Sequence, residues 1–201
     1  MDPHSEKVVS DTGTKHKIFM AAAQLFFEKG YNGVAIREIC EKTGVSKPTL
    51  YYYFGNKEGI YKSLVDAGIA LGQNQFQSIL QLDIPIKQKL IELVKISFQN
   101  ANEHPEFVKF FQSLFVATEK LPFLESIIDE ARDRRRNLAN LIQKGINNGE
   151  FGAGANPQIA CDVFVGTITH FIWKQLNSGK KILSDSLAED IVELLFKGLN
   201  E

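Results

Sequence analysis

The stretch Lys47-Pro48-Thr49-Leu50-Tyr51-Tyr52-Tyr53-Phe54 concentrates the residue types best suited to binding chemistry. Read as a short helix, it sends Leu50 and Phe54, four apart, toward a core, with Tyr53 beside them. Lys47, Pro48, Thr49, Tyr51 and Tyr52 then face outward. A solvated helix has no use for two tyrosines and a proline on that side. The major groove of duplex DNA does. Lysine reaches guanine edges or phosphate, proline and tyrosine carbons pack on thymine methyls, and the hydroxyls bond phosphates or bases.

The elements that must position this face are written on either side of it. Ser46 precedes the helix, and its hydroxyl can accept from the amide of Thr49. Pro48 lies in the first turn, where a missing N–H costs little. Upstream, Ile36–Thr43 reads as another short helix ended by Gly44. Two short helices across Gly44-Val45-Ser46 have the form of a helix-turn-helix, with Ile36, Ile39, Cys40, Val45 and Leu50 turned inward. Arg37 adds a guanidinium fork suited to guanine or phosphate. Lys57, at the start of the following helix, can join free amides in holding a phosphate. The competing reading is a three-helix bundle whose aromatic face contacts protein.

Helical periodicity and punctuation continue to the C-terminus, and no strand-like alternation persists. A first helix is predicted from Thr14 to Lys29, with Gly30 as a left-handed stop, after a polar arm at 1–13. A long fourth helix follows Asn56 to about Leu82. Proline-opened helices follow at 85–102, 105–118, 122–148 and 157–176. A Ser186/Glu189 capping box predicts the start of the last, which reaches about Leu199. The fold class is therefore all-α with nine helices. A helix-turn-helix domain at 14–56 precedes a bundle at 57–201.

Composition narrows the function. Hydrophobic residues are 44% and charged residues 23%, as in ordinary globular domains, so disorder is not expected. Apolar runs stop short of a membrane span, and Met1–Thr14 lacks the apolar core of a signal peptide, so a cytoplasmic protein without membrane contact is expected. Residues 1–65 hold nine Lys/Arg against seven Asp/Glu, which is compatible with nucleic acid but does not require it. Cys40 and Cys161 are far apart, without metal-ligand spacing, and read as small hydrophobes. His4, His16, His104 and His170 are scattered, and no Gly-rich phosphate loop opens a helix. No catalytic residue, metal site or cofactor is expected, which argues against an all-helical enzyme.

Residues 18–61 closely resemble the N-terminal domain of TetR-family bacterial regulators. The resemblance rests on Ala22-Ala23, Leu25-Phe26, Glu28-Lys29-Gly30-Tyr31, Ile39, Gly44-Val45-Ser46, Thr49-Leu50-Tyr51, Phe54 and Lys57-Glu58. It implies that Lys47–Tyr53 is the recognition helix and that DNA is met by Arg37, Ser46, Lys47, Pro48, Thr49, Tyr51, Tyr52 and Lys57. Ala35 departs from the family's usual threonine, so its capping and phosphate contact must be absent or replaced, by Asn32 or a backbone amide. Cys40 stands for a usual alanine.

The remainder of the chain reads as a dimerisation and effector-binding bundle. Ile159, Val163, Gly166, His170 and Trp173 form one stripe of the eighth helix, and Phe164, Ile168, Phe171 and Gln175 a second. The resemblance implies that the last two helices pair with their symmetry mates, through Ile159, Val163, Gly166, Ile191, Leu194 and Leu195. The alternative is the core of a monomer. It also implies an effector pocket, whose lining is expected to include Phe76, Phe98, Phe111, Phe115, Phe164, His170, Phe171 and Trp173 and to suit a hydrophobic or aromatic small molecule. Taken singly, each phenylalanine is as well explained by ordinary core packing, and His170 by an interface. The run Arg132, Arg134, Arg135, Arg136, beside Asp129, Glu130 and Asp133, reads as a solvated, salt-bridged face. The expected function is a ligand-responsive regulator, usually a repressor in this family, that binds a palindromic DNA operator as a homodimer. An activator and a DNA-independent interaction protein are the alternatives.

Overall fold

The structure, a computed structural model, describes residues 3–114, 124–152 and 154–200. Among the described residues there are nine α-helices and no strand: α1 Pro3–Gly33, α2 Ile36–Thr43, α3 Lys47–Phe54, α4 Lys57–Leu80, α5 Ile86–Glu103, α6 Pro105–Leu114, α7 Leu124–Asn147, α8 Pro157–Ser178 and α9 Asp185–Asn200. No helix of the described residues is long and apolar enough to cross a membrane.

Two expected boundaries move. The first helix starts at Pro3, not Thr14. A proline in the first turn is well placed to open a helix, and nothing in 4–12 breaks one. Gly30 takes the left-handed φ of 68° as a stop would, but helical backbone resumes to Gly33. The last helix is capped not by Ser186 but by Ser184, whose hydroxyl oxygen accepts from the Leu187 amide at 3.2 Å. Glu189 is not available for a capping box because its carboxylate holds Lys95 of α5 at 2.9 Å.

The chain packs as two units. The first comprises the described residues of Met1–Ile69 and Glu106–Leu124. Its core is built from Ile18, Ala22, Leu25 and Phe26 of α1, Ile39 of α2, Leu50 and Phe54 of α3, and Ile60, Tyr61 and Leu64 of α4, all buried. Tyr61 is its aromatic centre. Edge-on contacts join it to Phe26 at 5.0 Å, Tyr31 at 4.9 Å and Phe110 of α6 at 5.4 Å between centroids. Phe111 lies so close to Gly68 that a Cβ there would stand 2.0 Å from its ring. Gly68 therefore stays bare so that α6 can seat on α4.

The second unit comprises the described residues of Ala70–Pro105 and Glu125–Glu201. Here α5 packs on α8 and α9, and α8 on α9. Leu90, Val94 and Phe98 of α5 meet Ala160, Phe164, Ile168 and Ile172 of α8 and Ala188 and Val192 of α9 in a common buried core. Two polar groups hold its ends. The Glu150 carboxylate accepts from the amides of Ile86 and Lys87 at 2.8 and 3.4 Å, capping α5 from across the unit. Buried Gln175 donates to Asn102 at 2.7 Å and accepts from the amides of Ile182 and Leu183 at 2.8 and 2.9 Å. These bonds lock the α8–α9 connection onto α5. These packing units partition the chain by contact, whereas the expected division at residue 56 is a partition by function.

Candidate nucleic-acid interface and effector region

Helix α3 is short because it is bounded at both ends. The Ser46 oxygen accepts from the Thr49 amide at 3.3 Å and meets the Thr49 hydroxyl at 2.8 Å. At the other end Gly55, at φ 72°, returns its N–H to the Tyr51 carbonyl. Leu50 is fully buried and Phe54 nearly so, which fixes the rotation of the helix. The opposite side is then presented. Lys47 and Pro48 are exposed, Tyr51 is 45% exposed and Tyr52 78%. Thr49 is half-buried, its hydroxyl already shared with Ser46. Tyr52 rests edge-on against Tyr53 at 5.2 Å, which limits its freedom without covering it.

Helix α2 supports α3 from behind. Ala35 occupies its N-cap position and supplies no side-chain acceptor. Glu38 serves a different donor: its carboxylate accepts from the Ala35 amide at 2.8 Å and pairs with Lys29 of α1. That hydrogen bond to Lys29 is the main reason the Glu38 carboxyl titrates below the usual glutamate value. The Glu38 carboxylate thus supplies only the reciprocal half of a capping box, while its own amide turns to the Ala35 carbonyl at 3.0 Å in place of a side-chain cap. At the far end of α2, Thr43 is buried and donates to the Ile39 carbonyl at 2.7 Å. Arg37 is exposed and lightly held by Glu41 at 3.2 Å.

Lys57 is placed differently from the other expected contacts. Its ammonium donates to the carbonyls of Tyr31 and Val34 at 2.9 and 3.0 Å and lies 4.5 Å from the Tyr31 ring centroid. It ties the first turn of α4 to the α1–α2 corner. A lysine at a helix start reads equally as an anion ligand or a tether, and only the fold around it separates the two.

A part of the chain with these features has known counterparts. Residues 18–64 match the family model described as "Bacterial regulatory proteins, tetR family". Over that segment the chain is similar to the tetR family. Curated relatives that match over nearly the whole chain are named as regulators. Among curated relatives, the "Fatty acid metabolism regulator protein" of Bacillus subtilis (strain 168) is 24% identical over 185 residues, covering 92% of this chain and 94% of that one. Among solved structures, the transcriptional regulator FadR from Bacillus subtilis in complex with stearoyl-CoA superposes with a TM-score of 0.70 at 24% identity, over 91% of this chain and 98% of that one. AibR in complex with isovaleryl coenzyme A and operator DNA gives 0.71 at 18% identity, over 91% and 98%. At these identities the structural likeness establishes the shared fold.

The residues expected to line an effector pocket do not form one set. Phe76, Phe98 and Phe164 are buried in the second unit, and Phe171 is half-buried there. Phe111 belongs to the first unit, edge-on to Phe110 at 5.8 Å. Phe115 lies outside the described residues. His170 and Trp173 are exposed, Trp173 by 55%, with their rings stacked at 6.4 Å. They share the outer face of α8 with Ile159, Val163 and Gly166, while Leu194 is 74% exposed on α9. A Cβ on Gly166 would meet nothing within 4 Å. Ile191, by contrast, is buried in the chain's own core, and Leu195 is half-buried. Cys161 is also core, its thiol pushed up by burial, and Cys40 is half-buried. No group of three or more His, Cys, Asp or Glu that could hold a metal occurs among the described residues.

One arginine departs from the expected solvated face. Arg132 pairs with Asp129 at 2.7 Å, Arg136 with Asp133, and Arg135 lies 3.9 Å from Asp162 of α8, all well exposed. Arg134 turns the other way. Its Nε is buried and finds no hydrogen-bond partner among the described residues, and a guanidinium nitrogen stands 2.9 Å from where a Cβ on Gly72 of α4 would be. The alternation is helical: a single run of basic residues cannot keep all its members on one side of a helix.

Proposed function

We propose that this regulator is a repressor that binds a two-fold-symmetric operator as a homodimer and leaves it when a hydrophobic effector is bound. The observation that carries the reading is the outward face of α3. Lys47, Pro48, Tyr51 and Tyr52 are exposed, on a helix whose rotation is fixed by Leu50 and Phe54 and whose start is capped by Ser46. Arg37 and Thr49 flank that face. Lys57 acts by holding the α1–α2 corner to α4, so that the recognition helix keeps its attitude in the groove. On this reading, residues 14–56 form the DNA-binding domain and 57–201 the effector-binding and dimerisation domain of a cytoplasmic protein.

A single helix reads too few base pairs to select a site. Two, related by a dyad and about 34–36 Å apart, read successive turns of a palindrome. The exposed side chains of Ile159, Val163, Trp173 and Leu194 supply the apolar surface for such a dyad, with Gly166 allowing close helix approach. Effector binding then acts through α4. The helix is continuous from Lys57 to Leu80, and its first turn is tethered to the corner that carries α2. A ligand that prefers one setting of α4 shifts the population toward it and away from the DNA-competent spacing. Two solved relatives hold acyl thioesters of coenzyme A, which supports an acyl-bearing effector for the phenylalanines of the second unit.

The test is a mobility-shift titration at fixed salt against DNA from upstream of the chain's own coding region. Specific binding by the wild type, lost in Tyr52→Ala and Lys47→Ala proteins that keep their helical circular dichroism, is expected. Normal binding by both variants overturns the recognition-helix assignment. No specific binding by the wild type to any upstream DNA favours a DNA-independent interaction protein.

A further inference from the structure

The second unit buries one nitrogen of a part-exposed guanidinium, Nε of Arg134, with no acceptor among the described residues. We propose that Arg134 is the anchor for an oxyanion on the effector, a carboxylate or phosphate carried by an otherwise apolar acyl molecule. This assignment deepens the repressor reading above and rests on it.

The argument starts from what a guanidinium requires. It stays charged at any physiological pH and carries five N–H donors in a rigid fork. Such a group is costly to bury unless acceptors meet it. Its three arginine neighbours in sequence all meet carboxylates at the surface. Arg134 instead has its Nε shut away from solvent with no acceptor among the described residues. Glu130, one turn back on α7, contributes charge but no hydrogen bond, and burial remains the dominant influence, lowering the guanidinium's affinity for its proton. The seat is shaped for this. Gly72 stands in α4 where a Cβ would come 2.9 Å from the guanidinium, so the bare backbone of α4 forms one wall beside the cation.

An oxyanion satisfies what the protein leaves open. A carboxylate or phosphate takes two parallel N–H bonds from one guanidinium, and a low-dielectric setting strengthens them. The same unit has an apolar interior that includes Phe76, Phe98 and Phe164. A charged head with a greasy tail is the ligand class that uses both.

Calorimetric titration of the full-length protein with hexadecanoate, hexadecanoyl-CoA and 1-hexadecanol tests the assignment. The three share a tail and differ in head: carboxylate, phosphate-bearing nucleotide thioester, and neutral hydroxyl. Wild-type protein is expected to prefer at least one anionic probe to the alcohol by roughly ten- to a hundredfold, the range of a charge-assisted pair. The better of the two names the source of the oxyanion. Arg134→Met is expected to erase that preference while keeping the alcohol's affinity and operator binding. Gly72→Ala is a second probe that leaves the charge in place. Its methyl group displaces the guanidinium, so a loss of anion preference is expected while α4 gains helix propensity. Equal binding of all three probes, no binding of any, or an anion preference that survives both substitutions overturns the assignment. In each case operator binding by the same protein shows whether the repressor reading still stands. Should Arg134→Met fail to fold, the Gly72→Ala titration decides alone.

Discussion

Two surfaces of this protein are left uncovered, and they differ in kind. The outer face of α3 mixes a lysine, a proline and two tyrosines. The outer face of α8 and α9 is aliphatic and aromatic, with Ile159, Val163, Trp173 and Leu194 each more than half exposed. The first can hydrogen-bond and attract phosphate, and it tolerates water. The second offers few polar groups and gains chiefly by excluding water. Exposure alone therefore says little about a partner. In the reading proposed above, the chemistry of the exposed side chains is what separates a nucleic-acid face from a face for another copy of the chain.

The largest effect expected from breaking this contrast is on DNA. Combining Lys47→Ala with Tyr52→Ala should weaken operator binding about a thousandfold, and the lysine change alone should lower the salt slope by about one. A mobility-shift series across salt concentrations checks both. Next is the apolar face. Val163→Asp or Leu194→Asp should raise the dimer dissociation constant roughly thirtyfold or more by sedimentation, and operator binding should fall with it. A dimer untouched by either change would place the dyad elsewhere.

Smaller effects sharpen the comparison by testing what holds each face in place. Gln175→Ala strands the amides of Ile182 and Leu183 and the carbonyl oxygen of Asn102. Urea unfolding should show a loss of about 2–4 kcal/mol, with the recognition helix unaffected. The smallest is at Glu38. Its pKa lies below the ordinary 4.5, so its pairing supports the fold fully above that value and is lost as pH falls through the lowered folded pKa. Glu38→Gln should lower the thermal midpoint slightly at neutral pH and leave it unchanged once the wild-type carboxyl is protonated, so that the acid side of the stability profile flattens, as differential scanning calorimetry would show.

The sequence by itself determined what is local. Helix punctuation lies within a few residues of what it controls, so Ser46, Gly44 and the 3.6-residue spacing of Leu50 and Phe54 suffice to place α2 and α3 and to turn Tyr51 and Tyr52 outward. The first helix was misread for the converse reason: a polar segment with no breaker folds as helix without any apolar stripe to announce it. Tertiary structure decided every question of which partner a face meets. Periodicity could put Gln175 on an inward stripe but could not supply Asn102 or the amides of Ile182 and Leu183. Nor could it turn Lys57 from anion ligand to tether, seat α6 with the N-terminal helices through Tyr61 and Phe110, or single out Arg134 from its neighbours. Those outcomes join residues far apart in the chain, and a helical pattern specifies the direction of a side chain without specifying what stands opposite it.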